Sequence, residues 1–196
     1  EGNYFEDIFM SVKEHDVWTD PILVQDKINS QGHDACLYLS PDGQLMYVYR
    51  YSTNENEQAG IYQVKKDGNG WGELELLESS INSKFWETDA SLDTYGNIIF
   101  FTSDRDGGYG GKDIWMMKRL PNGQWAEAQN LGENINTIYD EDGPYLHPDG
   151  KTLYFSSQGH QTMGGHDFLM STMNQDGTFS EPINMGYPTN TVGNDL

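Results

Sequence analysis

The chain has 196 residues, of which 31 are acidic and only 11 are basic, so its formal net charge is -20. Nucleic acids and anionic membrane surfaces are recognised through lysine and arginine, and this charge argues against both as partners. A single cysteine, Cys36, excludes an internal disulfide. Its place among alternating apolar residues predicts a buried structural thiol. No run of residues is apolar enough to insert directly into a membrane.

The chain opens with two short segments rich in strand formers, "FEDIFMSV" (5–12) and "VWTDPILV" (17–24). They match the third and fourth segments of the units that follow, not the first and second. The chain stops at "GNDL" (193–196), where another first segment should begin. We therefore expect the sequence to be a piece of a longer chain, or to rely on a partner for closure.

Each later unit is predicted to contain four short strands. In the second complete unit these are "DASLD" (89–93), "NIIFFTS" (97–103), "KDIWMMK" (112–118) and "WAEAQNL" (125–131). Aromatic and β-branched residues fill the strands, and turn formers fill the gaps. The predicted turns place Gly at a position that requires positive φ: "SPDG" (40–43), "DTYG" (93–96), "LPNG" (120–123), "HPDG" (147–150) and "NQDG" (174–177).

Four columns of similar residues recur every 53 to 55 positions along the whole chain, and a fifth, of turn glycines, has the same spacing over residues 43–150. The columns are Ile8, Ile61, Ile114 and Phe168; Trp18, Trp71, Trp125 and Phe179; Asn29, Asn82, Asn136 and Asn190; Asp34, Asp89, Asp142 and Asp195; and Gly43, Gly96 and Gly150. A repeated four-stranded unit of about 50 residues is the signature of a β-propeller blade.

The predicted fold is therefore an all-β, incomplete β-propeller of four-stranded antiparallel blades, forming one domain over residues 1–196. About 3.6 blades are present, and we expect the full propeller to have six to eight. Residues 1–32 are the last two strands of one blade. The following blades span residues 33–87, 88–140 and 141–194.

The aspartate column, Asp34, Asp89, Asp142 and Asp195, stands close to each predicted first strand, and Glu141 adds charge beside it. In a propeller the first strand lines the central channel. A ring of carboxylates at the channel mouth is suited to bind a cation such as calcium, or a basic peptide end. Alternatively, these side chains cap local backbone amides and tie neighbouring blades together. The sequence leaves both interpretations open.

Two glycine-rich loops, "SDRDGGYGGKD" (103–113) and "SQGHQTMGGHD" (157–167), end in Gly-Gly-x-Asp. Asp113 and Asp167 are expected to bond amides of their own turns, with a calcium site as the weaker alternative because the EF-hand ligand pattern is missing. His160 and His166 are thin zinc candidates without a nearby cysteine. Tyr109 and Tyr145 are suited either to stacking on a sugar or peptide or to packing.

The segments "YLSPDGQLMYVYR" (38–50) and "YLHPDGKTLYFSS" (145–157) resemble the repeat core of TolB-like propellers, although "SLDTYGNIIFF" (91–101) lacks its Pro-Asp. The stretch from 141 to 171, with "NLGENINT" (130–137) and "INMGYPTNT" (183–191), is similar to propellers of Bacteroidetes OmpA-family envelope lipoproteins of the type IX secretion and gliding kind. In those proteins, tetratricopeptide repeats and a peptidoglycan-binding domain flank the propeller. Peptidoglycan contact would therefore depend on domains absent from these residues.

The resemblance implies a periplasmic, outer-membrane-associated scaffold that binds protein partners and belongs to a lipoprotein. The residues themselves favour a non-catalytic module without a required cofactor, because Ser, His and acidic residues follow the repeat and do not gather into one catalytic cluster. A carbohydrate-binding or metal-dependent propeller enzyme module is the alternative.

Overall fold

The computed structural model describes residues 5–24, 27–51, 58–68 and 70–195. They form two compact units, Glu1–Leu77 and Glu78–Leu196. Every regular element in the described residues is a β-strand, and every strand pair is antiparallel. The prediction of an all-β chain is therefore confirmed. The described part of the chain contains no apolar helix of membrane-spanning length.

The first unit contains a half-blade and one blade. In the half-blade, β1 (Phe9–Met10) pairs with β4 (Ile22–Leu23), and β2 (Lys13–Glu14) pairs with β3 (Val17–Trp18). The first blade consists of β5 (His33–Leu39), β6 (Leu45–Tyr51), β7 (Gly60–Asp67), β8 (Gly70–Trp71) and β9 (Glu75–Leu76). Both β8 and β9 pair with β7, so the predicted fourth strand is split into two short pieces.

The second unit contains two blades whose strands follow one another in chain order. The second blade consists of β10 (Glu87–Leu92), β11 (Ile98–Ser103), β12 (Asp113–Lys118) and β13 (Gln129–Asn130). The third blade consists of β14 (Glu141–Leu146), β15 (Thr152–Ser157), β16 (Asp167–Thr172) and β17 (Ile183–Asn184). The fourth strand of each blade is preceded by one isolated bridge, Arg119 to Trp125 or Met173 to Phe179.

The predicted turns form as the sequence indicates. Gly43, Gly96 and Gly150 have φ values of 66°, 69° and 71°, and Gly123 and Gly177 have φ values of 86°. Side chains with a β-carbon rarely adopt these angles, so glycine fixes the turn type at each position. These five turns set the register of the hairpins that they close.

Each unit has its own apolar core. In the first unit the core contains Ile8, Val24, Ile28, Met46, Val48 and Val64. In the second unit it extends across both blades and contains Phe100, Ile114, Met116, Ile135, Leu146, Leu153, Phe155, Leu169 and Phe179. The inner strands β10 and β14 are joined by a hydrogen bond of 2.5 Å, which the Ser91 hydroxyl donates to the Pro144 carbonyl oxygen. The second and third blades therefore pack as one body.

The asparagine column clamps one backbone position at or next to the start of β1, β12 and β16. The Asn136 Oδ1 atom accepts the Ile114 N–H at 2.8 Å, and its Nδ2 atom donates to the Ile114 carbonyl at 2.9 Å. Asn190 makes the same pair of bonds to Phe168, at 2.8 Å each. Asn29 does so with Ile8, at 2.7 and 3.1 Å. The asparagine and isoleucine columns thus repeat together because each of these three asparagines bonds both backbone groups of its partner.

The prediction that Cys36 is buried is wrong, because the residue is exposed in the structure. Strand β5 contains a register shift between Cys36 and Tyr38. Such a bulge places two residues opposite one and interrupts the alternation of faces. Counting alternate apolar positions across this bulge therefore assigns Cys36 to the wrong face.

Candidate functional site: an acidic pocket between the second and third blades

A pocket of about 220 Å³ lies between the second and third blades, inside the Glu78–Leu196 unit. Its lining residues come from β10, the end of the Gly-rich loop before β12, β14, β15 and β16: Asp89, Lys112, Asp142, Gly143, Ser156 and Phe168. The structure thus brings together two of the sequence-predicted acids, Asp89 and Asp142. It adds a lysine, a hydroxyl and an aromatic ring that the sequence did not single out.

One carboxylate of the pocket already has a cation beside it. The Lys112 Nζ atom lies 2.5 Å from Asp142 Oδ2, and both side chains are mostly buried. The second carboxylate oxygen of Asp142 accepts the Thr88 hydroxyl at 3.3 Å. The Lys112 ammonium also lies 5.6 Å from the centre of the Trp86 ring, within range of a cation–π interaction. Asp142 is therefore held in place by groups from the second blade.

Asp89 is the less compensated acid. Burial raises the pKa of Asp89, and the nearby Asp142 carboxylate raises it further, while Thr88 and Lys112 oppose these effects. Two carboxylates and one ammonium leave one negative charge in excess when both acids are ionised. An additional cation in the pocket would stabilise ionised Asp89. Asp89 is therefore the group that a cationic ligand would engage.

A pair of glycines allows the Lys112 loop to approach the connector between the blades. The Gly111 N–H donates to the Tyr139 carbonyl at 3.2 Å, and the Lys112 N–H donates to Asp140 Oδ1 at 2.9 Å. A β-carbon on Gly111 would lie 2.0 Å from that same Asp140 oxygen. A β-carbon on Gly110 would lie 2.4 Å from the Thr137 backbone oxygen, so only glycine permits this approach, which places the Lys112 side chain beside Asp142.

The predicted aspartate column is not one set of equivalent positions. Strand registers pair Asp34 with Arg50, Glu87 with Ser103 and Glu141 with Ser157. The equivalent acids are therefore Asp34, Glu87, Glu141 and Asp195, spaced 53, 54 and 54 residues apart like the asparagine column. Asp89 and Asp142 belong to other positions, because Asp89 is two positions after Glu87 and Asp142 is one position after Glu141.

The four equivalent acids cap the connectors between blades. Each accepts the backbone N–H of the residue four positions earlier: Asp34 from Ser30 at 2.5 Å, Glu87 from Ser83 at 3.0 Å, Glu141 from Thr137 at 2.8 Å and Asp195 from Thr191 at 2.7 Å. This is the amide-capping geometry that the sequence left open for the column. Asp34, Glu141 and Asp195 thus hold backbone, whereas Asp89 and Asp142 face a pocket.

The two weak metal candidates are also occupied by neutral donors. Asp113 accepts the Tyr109 N–H at 2.7 Å and the Asn130 Nδ2 at 2.6 Å, and Asp167 accepts the Met163 N–H at 2.5 Å. The expectation that both acids bond amides of their own turns is confirmed. Over the described ranges, no group of three His, Cys, Asp or Glu side chains is placed to hold a metal ion.

The two histidines have separate local partners. The His160 Nε2 atom lies 2.9 Å from the Ile135 carbonyl oxygen, and its ring packs edge-on against Phe155. The His166 Nδ1 atom lies 3.3 Å from the Gln158 amide nitrogen. His160 therefore fastens the blade connector, and the structure gives the proposed zinc pair no shared ligand set.

Exposed aromatic and apolar side chains lie on the connectors and on the Gly-rich loop that lead into the pocket-lining strands. Trp86 is 58% exposed and Ile138 is 73% exposed, and Tyr109 and Tyr139 are also exposed. Trp86 contacts the Lys112 ammonium, and Tyr139 accepts the Gly111 N–H through its carbonyl. Tyr145, the other predicted stacking residue, is exposed as well. Trp86 contacts a pocket-lining side chain, and Tyr109 and Tyr139 lie on the loop and the connector that position Lys112, so we call these three residues the aromatic rim.

No protein-family model matches this chain, and no curated protein sequence does either. Several solved structures are similar to it. A candidate TolB from Agrobacterium tumefaciens has a TM-score of 0.53 and 17% identity, over 91% of this chain and 60% of that chain. TolB from Acinetobacter baumannii has a TM-score of 0.50 and 16% identity, over 88% of this chain and 37% of that chain.

This likeness shows the fold. The chain has the β-propeller fold of TolB proteins, as its repeat predicts. It spans 60% and 37% of the lengths of those two chains. A candidate 6-phosphogluconolactonase from Bacteroides uniformis has 16% identity over 81% of this chain and 43% of that chain. Its TM-score of 0.43 is too low to support an inference about fold or activity.

Proposed function

We propose that this propeller is a non-catalytic interaction module that scaffolds a periplasmic, outer-membrane-associated protein complex of the cell envelope. The observation that carries the proposal is the pocket of Asp89, Asp142 and Lys112 with its rim of exposed aromatic residues. Exposed Trp and Tyr beside a buried polar centre are the usual composition of a protein-binding hot spot. The TolB-type propeller fold supports this choice of function class.

The partner would present a cationic group, from a lysine, an arginine or an amino terminus, to the Asp89 side of the pocket. The Lys112–Asp142 ion pair fixes one carboxylate in place, and Asp89 would meet the incoming charge. The net charge of -20 would also accelerate association with a basic surface at low ionic strength. Aromatic rim residues would then cover apolar parts of the partner.

The proposal extends to the parent protein on sequence resemblance alone. Similarity to OmpA-family envelope lipoproteins supports an assembly of the type IX secretion or peptidoglycan-associated kind, with the lipid anchor and any peptidoglycan-binding domain outside these residues. The propeller itself would contribute protein contacts and no catalysis. An intact mass measured on protein isolated from its native source would test whether these 196 residues are one segment of such a chain.

Affinity capture from envelope extract at low salt tests the binding function. We expect the unchanged chain to retain a partner that is reduced or lost with Asp89→Asn and with Trp86→Ala. The control is Glu133→Gln, because Glu133 is exposed and does not line the pocket. Equal capture by all four proteins would contradict the proposed surface. Thermal stabilisation by oligosaccharides or a transition metal, without protein capture, would instead favour the carbohydrate-binding or metal-dependent alternative.

A further inference from the structure

Two buried glutamates at equivalent positions have the same neutral donors. Glu87 accepts the Ser83 N–H at 3.0 Å, the Ser83 hydroxyl at 2.7 Å and the Ser103 hydroxyl at 2.9 Å. Glu141 accepts the Thr137 N–H at 2.8 Å and two hydroxyls, from Thr137 and Ser157, at 2.7 Å each. The two sites are therefore a matched pair in backbone and hydroxyl bonding.

They differ in one cation. The Arg105 Nη2 atom lies 3.1 Å from Glu87 Oε1 and also donates to the Ile81 carbonyl at 3.2 Å. The equivalent position in the third blade is Gly159, whose N–H bonds the Ser157 hydroxyl as that of Arg105 bonds Ser103. A β-carbon on Gly159 would lie 1.9 Å from the Thr137 hydroxyl oxygen, so no side chain fits there.

Arg105 contacts both a carbonyl and a carboxylate, whereas His160 contacts only the equivalent carbonyl. It approaches the Ile135 carbonyl, the counterpart of Ile81, and leaves the carboxylate without a cation. The charged groups on the surrounding elements have other partners. Asp113 of β12 is itself an acid that raises the pKa of Glu141, and the Asp140 side chain accepts the Lys112 N–H. The Lys112 ammonium bonds Asp142, and within the described residues no ion pair reaches Glu141.

The Glu141 site can accommodate a proton, because the Thr137 and Ser157 hydroxyl oxygens each accept one backbone N–H, from Tyr139 and Gly159, and can accept one bond more. Hydroxyl groups both donate and accept, so the Thr137 or Ser157 hydroxyl can turn to accept a bond from a protonated Glu141. The Thr137 N–H still donates to the other carboxyl oxygen. At Glu87, by contrast, protonation would leave the Arg105 guanidinium facing a neutral acid. The bonding around Glu141 therefore accommodates both charge states.

We propose that Glu141 is a proton-operated switch at the junction between the second and third blades. In its neutral form the fully buried side chain closes the 137–141 connector through its bonds to Thr137 and Ser157 and carries no charge. In its ionised form the same cavity holds an unpaired negative charge. Glu141 immediately precedes Asp142, so release of the proton also adds negative charge beside the Lys112–Asp142 ion pair. The switch does not depend on the proposed binding function.

Burial, opposed by the bonds from Thr137 and Ser157, raises the pKa of Glu141 from 4.5 to about 7. Between these values the folded chain binds more protons than the unfolded chain does. The free energy of unfolding therefore falls as pH rises from about 4.5 to about 7, and the stabilisation is fully present only below that window.

Carboxyl NMR of the full chain labelled with ¹³C at glutamate side chains tests the switch directly. We expect one resonance to titrate with a midpoint near neutral pH, and the Glu141→Gln variant identifies it by its disappearance. Glu87→Gln serves as the matched control and should leave that resonance in place. A Glu141 midpoint near its ordinary value would overturn the proposal, whether or not partner binding is detected.

Thermal unfolding provides a second measurement that does not need resonance assignments. Between pH 5 and 8 the unfolding midpoint should fall less in Glu141→Gln than in the unchanged chain. The Asp89→Asn variant measures how much Asp89, the other acid whose pKa is raised by burial, contributes to the same pH dependence of stability. If Glu141→Gln and the unchanged chain lose stability in parallel, Glu141 does not carry the transition.

Discussion

In the second blade a buried glutamate, Glu87, faces Arg105, whereas in the third blade Glu141 occupies the equivalent position and faces only amide and hydroxyl donors. The surrounding frame is otherwise the same. Asn136 clamps Ile114 as Asn190 clamps Phe168, and each connector begins with Ser or Thr. The repeat thus preserves backbone geometry and varies charge.

Two kinds of acid, one that caps a connector and one that lines the pocket, lie close together in the sequence of these blades. Glu87 and Glu141 hold backbone connectors, and their carboxyl groups are inaccessible. Asp89 and Asp142 are two and one residues further on and line a pocket with Lys112. A blade can therefore acquire a binding group on its inner strand without disturbing the acid that caps the connector.

Removing the charge at the two equivalent glutamates should give the largest contrast. Glu87→Gln leaves the mostly buried Arg105 guanidinium without its carboxylate, and breaking such a pair costs about 3 to 5 kcal/mol. Glu141→Gln removes a charge that has no cationic partner, so at pH 8 it should cost less than about 1 kcal/mol. Denaturant unfolding of both variants measures the difference. Equal losses would mean that Arg105 does not distinguish the two sites.

The shared frame should be nearly as sensitive to loss of an asparagine. Asn136→Ala leaves the Ile114 N–H and carbonyl without their side-chain partners inside the core, which should lower the free energy of unfolding by about 2 to 4 kcal/mol. Asn97→Ala is the control, because the Asn97 side chain is exposed on a turn. A small effect of Asn136→Ala would show that other groups satisfy this backbone.

The close approach of the Gly-rich loop should be next in size. Gly111→Ala forces the Asp140 side chain to turn away and give up its bond from the Lys112 N–H, which should cost about 1 kcal/mol. In an Asp140→Ala background the clash is absent, so the same substitution should cost less. Unfolding of the two single variants and the double variant measures this coupling. An additive result would place the strain elsewhere.

The repeat made much of this fold predictable from the sequence. Trp, Ile and Asn columns with the same spacing, together with Gly at the turns, indicate antiparallel four-stranded units, because each turn glycine and each clamp acts within one blade. The aspartate column is wrong at two of its four positions, because Asp and Glu are interchangeable as the capping acid and a column restricted to Asp omits Glu87 and Glu141. Treating them as one type gives the spacing of the asparagine column for Asp34, Glu87, Glu141 and Asp195.

Only the acids of the pocket could be predicted from the sequence. Asp89 and Asp142 stood out as acids, but Lys112 meets Asp142 through a contact between residues 30 positions apart, across two blades. No local pattern encodes that contact. The Gly-Gly before Lys112 was the available signal, since adjacent glycines allow backbone to approach backbone closely. Cys36 was misplaced for a related reason, because a bulge in β5 is not visible in the alternation of apolar residues.

The rim of the pocket should show the smallest effect on folding and a large one on binding. Trp86→Ala removes an exposed side chain, so the free energy of unfolding should change by no more than about 0.5 kcal/mol. Its loss should nevertheless weaken partner binding about tenfold or more, because exposed aromatic side chains contribute most of the energy in such interfaces. Binding to the captured partner can be measured by calorimetry at two salt concentrations. Tyr95→Ala is the matched control, since Tyr95 is an exposed aromatic residue on the turn between β10 and β11 and does not line the pocket. If both variants bind equally well, the aromatic rim is not the contact surface, and the difference between the capping acids and the pocket acids would have no role in recognition.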